Sequence, residues 1–79
     1  MMNSLLNSFK EVGYLPNGNS ITETSLEVPF QNFTCFVTIV NNQYKVFVYD
    51  TDNNVIDESK WYKRSIYVAK YVKKYAMNF

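Results

Sequence analysis

The chain has 79 residues, a formal net charge of +1, 47% hydrophobic and 18% aromatic side chains. That length admits one α+β-sized domain, 1–79, with a core close to the smallest that folds unaided, and that apolar content excludes a disordered chain. The near-neutral balance excludes a protein that coats nucleic acid in bulk, yet it hides an asymmetry: six of the eight cations and none of the seven acids lie between Ser59 and Phe79.

The single cysteine, Cys35, cannot form an internal disulfide, which points to a reducing cytoplasm. Met1-Met2-Asn3-Ser4-Leu5-Leu6 lacks the basic start and the apolar length of a signal peptide. No stretch approaches the ~18 apolar residues of a membrane span. The expectation is a cytoplasmic protein that does not engage a membrane.

In chain order, Asn3 or Ser4 can cap a short helix with Leu5, Leu6, Phe9 and Val12 on one side, and Gly13 can stop it in the left-handed conformation. Tyr14 and Leu15 are placed to fold back on that helix. Pro16-Asn17-Gly18-Asn19 reads as a turn. From Thr22 to Asp50 the pattern predicts a three-stranded antiparallel meander. Asparagine tolerates positive φ, so Asn41-Asn42 can make a two-residue hairpin turn that sets Ile39 opposite Tyr44, Val37 opposite Val46 and Cys35 opposite Val48. A turn at Gln31-Asn32 sets Phe30 opposite Phe33, Val28 opposite Cys35 and Leu26 opposite Val37. Both hairpins then send their aliphatic sets to the same face, and a slip of one residue in either would destroy the agreement. The other face receives Thr34 with Tyr49, Phe36 with Phe47, and Thr38 with Lys45. Asp50 to Asn54 reads as a turn, and Val55-Ile56 as the start of a short fourth strand. The fold class is α+β, order α-β-β-β-(β)-α, with the helices on the aliphatic sheet face.

The last stretch is read as one helix over 59–79, capped by Asp57 or Ser59. On a helical wheel Trp61, Ser65, Val68, Ala69, Val72, Ala76 and Phe79 form the buried stripe. Opposite them fall Lys60, Lys63, Arg64, Tyr67, Lys70, Tyr71 and Lys74, with Tyr62, Ile66 and Tyr75 on the shoulders and Lys73 off the basic stripe. Like charges three and four apart cost about 0.2–0.5 kcal/mol per pair with no carboxylate in the helix to offset them, roughly 1 kcal/mol together. That burden fits a docking surface and also fits a solvated face, and its size does not choose between them.

Little in the chain suggests catalysis. Histidine, the commonest general base and metal ligand, is absent. Cys35 falls in mid-strand on the face predicted to be buried, where a thiol is a small core residue rather than a nucleophile. Two glycines cannot build a phosphate-cradling loop. Asp50, Asp52 and Asn54 imitate the first ligands of a calcium-binding EF-hand loop, but Val55 stands where its glycine is needed and Trp61 where its bidentate glutamate belongs. No enzyme activity, metal or cofactor is expected.

What remains is binding through two surfaces. The helix face (Lys60, Lys63, Arg64, Tyr67, Lys70, Tyr71, Lys74) offers charge and flat contact area to a protein with an acidic patch or to nucleic acid. The sheet face (Phe36, Phe47, Tyr49, with Val40) is large enough to need a cover, whether the first helix, the loop from Gly13 to Ser20, a partner protein, a second copy of the chain, or stacked bases. The leading expectation is a non-enzymatic protein-binding protein, with direct nucleic-acid binding and a structural homodimer as the alternatives.

Two resemblances accompany this reading. The α-β-β-β-α order with a basic second helix opening at Ser59-Lys60 resembles that of double-stranded RNA-binding domains, in element order only. Gln31-Asn32 lacks their Gly-Pro-x-His type loop, and Lys60-Trp61-Tyr62-Lys63-Arg64 departs from their Lys-Lys-x-Ala-Lys. A short chain rich in asparagine, lysine and tyrosine with no catalytic set is also similar to the small inhibitor and accessory proteins of phages and mobile elements. Anti-CRISPR proteins, which block nucleic-acid machines by surface contact, are one such group.

Overall fold

The computed structural model describes residues 1–16 and 20–78: helix α1 (Met2–Glu11), strands β1 (Ser25–Pro29), β2 (Phe33–Val40), β3 (Gln43–Asp50) and β4 (Val55–Glu58), and helix α2 (Ser65–Asn78). The strands form one antiparallel sheet in sequence order. Its register follows from the turns. Asn41 and Asn42 take φ of 51° and 61°, the twist a two-residue hairpin needs. They pair Ile39 with Tyr44, Val37 with Val46 and Cys35 with Val48, while β1 sets Leu26 on Val37 and Val28 on Cys35, as the sequence predicts. The predicted turn containing Asn17, Gly18 and Asn19 lies outside the described residues, as does Phe79.

One face of this sheet is saturated. Leu26, Val28, Cys35, Val37, Val46 and Val48 are buried there together with Leu5 and Phe9 of α1 and Val68, Ala69 and Val72 of α2. α1 ends as its sequence dictates: Gly13 takes φ 79°, its N–H donates to Lys10 and the Tyr14 N–H to Phe9, closing the last turn. Tyr14 then folds back so that its ring meets Phe9 edge-on at 6.2 Å. Leu15, expected to fold back with it, is 57% exposed. The helices are tied to each other by polar contacts at both ends. The Ser65 hydroxyl donates to the Ser4 carbonyl at 3.1 Å and lies 2.6 Å from the Ser8 hydroxyl, and Lys73 Nζ donates to the Val12 carbonyl.

The edges are managed differently. On β1 the outward Glu27 N–H donates to Ser20, the Ser25 carbonyl accepts from Thr22, and Pro29 has no N–H to offer, so few backbone groups are left to recruit another strand. β4 is short and exposed along its length, is offset by a bulge between Val48 and Tyr49, and carries Asp57 and Glu58. The turn before it is built by Asp50, whose Oδ1 accepts from the N–H groups of Asp52 and Asn54. That carboxylate completes a turn of the chain, and its pKa is lowered chiefly by the Asn54 amide.

The second helix starts six residues later than the wheel predicts. Residues 59–62 instead prolong the ladder along β3 before a bend at 63–64: the Ser59 N–H donates to Val46, the Val46 N–H donates to Ser59 Oγ, and Tyr44 and Tyr62 exchange backbone hydrogen bonds at 2.8 Å. The physical reason is that β3 has eight residues against four in β4, so half of its outward backbone groups would be orphaned if 59–64 coiled. Ser59 and Asp57 therefore do not cap α2. Trp61, expected in the buried stripe, is 43% exposed on the opposite side of the sheet.

Candidate functional site

The sheet face away from the helices is the first candidate surface. Phe36 and Phe47 are direct cross-strand partners, and Tyr49 follows Phe47 with ring centroids 6.4 Å apart and a 40° tilt. All three are half-buried by one another and by neighbours on the same face. Both helices pack on the other side, so neither covers these rings. Lys45 organises the margin. Its Nζ lies 5.1 Å from the Phe47 centroid, 5.5 Å from that of Trp61 and 3.3 Å from Glu58 Oε1, and the side chain is 16% exposed. Wedged between two rings and a carboxylate, it has little rotamer freedom left to lose. Beyond Tyr49, a depression of about 360 Å³ is lined by Glu27, Thr34, Phe36, Tyr49 and Asn53.

Trp61 and Val55, which pairs with Tyr49, extend this face and were not anticipated on it. The unpaired half of β3 was the signal that could have placed Trp61: a chain segment drawn out beside it must put alternate side chains on the outer face.

The second candidate surface, predicted as one basic stripe, is divided. Tyr67, Lys70 and Lys74 stand exposed on α2, as expected. Lys60, Lys63 and Arg64 are exposed but precede the helix, Lys60 in the extended segment and Lys63 and Arg64 in the bend after it, with Arg64 over the Tyr67 ring at 6.0 Å. The repulsion computed for a helical Lys60 with Lys63 and Arg64 does not apply. Tyr71 is not on the exposed face. It sits on the flank toward β4, half-buried, and its hydroxyl donates to Asp57 Oδ2 at 3.0 Å beside a second bond from Tyr75. These two hydroxyls, Tyr75 first, hold the Asp57 carboxyl below its ordinary pKa, and burial followed by Asp57 pushes Tyr71 well above its own. Tyr71 is thereby a structural tie between α2 and β4.

On its other flank α2 meets α1 across a groove of about 570 Å³, where Val12, Ile66 and Met77 lie among Lys70, Lys73, Lys74 and Glu11. A smaller depression shares Glu11 and Ile66 with it and continues toward Lys63 and Arg64. Among the described residues the one ion pair is Lys45 with Glu58, so none of these groove cations is neutralised by a carboxylate at contact distance.

Cys35 is fully buried at the centre of the sheet, and burial, then the charge of Asp57, pushes its thiol up to about 12. Such a thiol is no nucleophile at neutral pH. Among the described residues no three His, Cys, Asp or Glu side chains gather as metal ligands, and no helix is long and apolar enough to cross a membrane. Comparison with known protein families, characterised proteins and solved structures finds no match. The fourth strand departs from the α-β-β-β-α order of double-stranded RNA-binding domains.

Proposed function

We propose that this chain is a non-enzymatic binding protein that recognises another protein, with Phe36, Phe47 and Tyr49 as the anchoring side chains. The observation that carries the reading is the open outer face of the sheet: aromatic rings at the centre, Glu27, Lys45 and Glu58 around them, and both helices on the far side. An apolar centre inside a charged margin is the anatomy of a protein interface, and rings already held by their neighbours lose little entropy when covered. Trp61 and Val55 widen the same patch. Lys60, Lys63, Arg64, Lys70 and Lys74 add a field that steers an acidic partner toward the molecule from a distance. A cytoplasmic inhibitor or accessory protein of a phage or mobile element, acting by surface contact as anti-CRISPR proteins do, is a setting that suits this chemistry.

The test compares the wild type with the Phe36→Lys/Phe47→Lys variant, both shown by circular dichroism and thermal unfolding to be folded, as baits in lysate of the source cell. A protein retained by the wild type and lost by the variant is the expected result. Retention of the same proteins by both, or of nucleic acid alone, would overturn the reading. So would a doubled mass by light scattering that reverts in the variant, since the face would then belong to a second copy.

A further inference from the structure

The groove between α1 and α2 combines features that neither a solvated helix face nor a phosphate-binding stripe requires. Its floor is apolar, from Val12, Ile66 and Met77, and Met77 is 66% exposed. Its walls carry Lys70, Lys73 and Lys74, and its continuation carries Lys63 and Arg64. Lys73 is partly engaged, donating to the Val12 carbonyl at the end of α1, which fixes one wall. Lys70 and Lys74 stand one turn apart and repel each other, neither of them in contact with a carboxylate among the described residues, although Lys74 acts on Asp57 from a distance. From Ile66 to Met77 along α2 the groove spans about 16 Å, the length of roughly three turns of a helix.

We infer that this groove is a docking site for an acidic amphipathic helix of a protein partner. The inference rests on reading the chain as a protein-binding module, and it assigns a surface separate from the aromatic sheet face. Charge complementarity selects the occupant. An amphipathic helix lays its apolar stripe on Val12, Ile66 and Met77 and turns carboxylates on its flanks toward the lysines. A phosphodiester backbone would meet the lysines but would gain nothing from the apolar floor. Methionine, flexible and polarizable, suits a floor that must adapt to the side chains laid on it.

The probe is a fluorescein-labelled helical peptide of about five turns, leucine along one face and glutamate on its flanks. It is compared with a scrambled peptide of the same composition and with duplex DNA, by anisotropy over a salt series. The ordered peptide is expected to bind at least about tenfold more tightly than the scrambled one, and Lys70→Glu/Lys74→Glu is expected to weaken it by about tenfold or more. Ile66→Ser, which removes apolar floor and no charge, should weaken the ordered peptide and leave the scrambled one as it was. Equal binding of the two peptides, tighter binding of duplex DNA, or no binding at low salt would overturn the assignment. None of these results bears on the sheet face, which stands or falls by the capture comparison.

Discussion

The two faces of β1–β3 are made from alternate residues of the same strands and behave as different materials. Toward the helices stand Leu26, Val28, Cys35, Val37, Val46 and Val48, each at most 1% exposed. Away from them stand Glu27, Thr34, Phe36, Thr38, Lys45, Phe47 and Tyr49, none of them fully covered. The first set is largely aliphatic, with Phe33 and Tyr44 buried at its ends, and is closed by two helices. The second holds Phe36, Phe47 and Tyr49, which have more to gain from burial than valine has, and it is the face the helices leave uncovered. A chain this short has enough helix to roof one face of a four-stranded sheet. Which face it roofs follows polarity: the roofed set is apolar, and the rings of the other face are interleaved with lysine and glutamate.

The sharpest way to break this contrast is to empty one position on each face. Leu26→Ala should lower stability by about 2–5 kcal/mol, comparable with the whole stability of a small domain. Phe36→Ala should cost about 1 kcal/mol, as partly exposed positions do. Urea unfolding followed by Trp61 fluorescence measures both, and equal losses would show that the outer face is packed against something in solution. Cys35 reports on the same core chemically. A thiol reagent at pH 8 should modify it only at the rate of unfolding, and rapid labelling of the native protein would contradict a closed face.

A smaller effect is expected at the seam between α2 and β4. The Asp57 carboxyl is held below its ordinary pKa by Tyr75 and Tyr71, so the folded state binds this proton less readily than the unfolded chain does. The stability this contributes is present above the unfolded value of about 3.9 and is lost as pH falls through the lower folded value. Asp57→Asn should cost about 1 kcal/mol at pH 7, discounted for the exposure of the site, and should flatten the acid limb of a stability-against-pH curve. An unchanged limb would mean that the two tyrosines do not hold Asp57 in solution.

The smallest effect should have the opposite sign. Lys70→Glu exchanges repulsion with Lys74 for attraction and should raise stability by up to about 0.5 kcal/mol in low salt, measured by thermal unfolding. If it does so while weakening the acidic peptide, the lysines of α2 are held at a cost to the fold, the pattern expected of a binding surface. If stability falls, the lysine contributes packing to the groove wall instead.

The sheet was legible because its signals are local and redundant. Two asparagines at positive φ fix one hairpin, the aliphatic alternation fixes the other, and each checks the other's register. The Gly13 stop was legible for the same reason: it needs only its own φ and the amides beside it. The start of α2 was not, because it is settled by a demand from elsewhere. Trp61, Tyr62 and Lys63 fit a helical wheel well, but Tyr44 and Val46 need backbone partners, and a wheel counts side chains alone. Tyr71 was misplaced by less. It lies about 100° from the centre of the buried stripe, and the hydroxyl of a tyrosine there finds the Asp57 carboxylate of a strand that periodicity does not position. Of the candidate surfaces, the cross-strand pairing of Phe36 with Phe47 could be read from residue types. The groove could not, since part of its lining, Glu11 and Val12, comes from the far end of α1.

The layered build has a further consequence for anything that binds here. The aromatic patch and the interhelical channel lie on opposite sides of the slab, with the packed aliphatic interior between them. A rigid body resting on one side cannot reach the other, so two guests would not compete and their stoichiometries would add. If both surfaces are occupied, the two guests stand at a separation set by the thickness of the slab, like plates on either side of a washer.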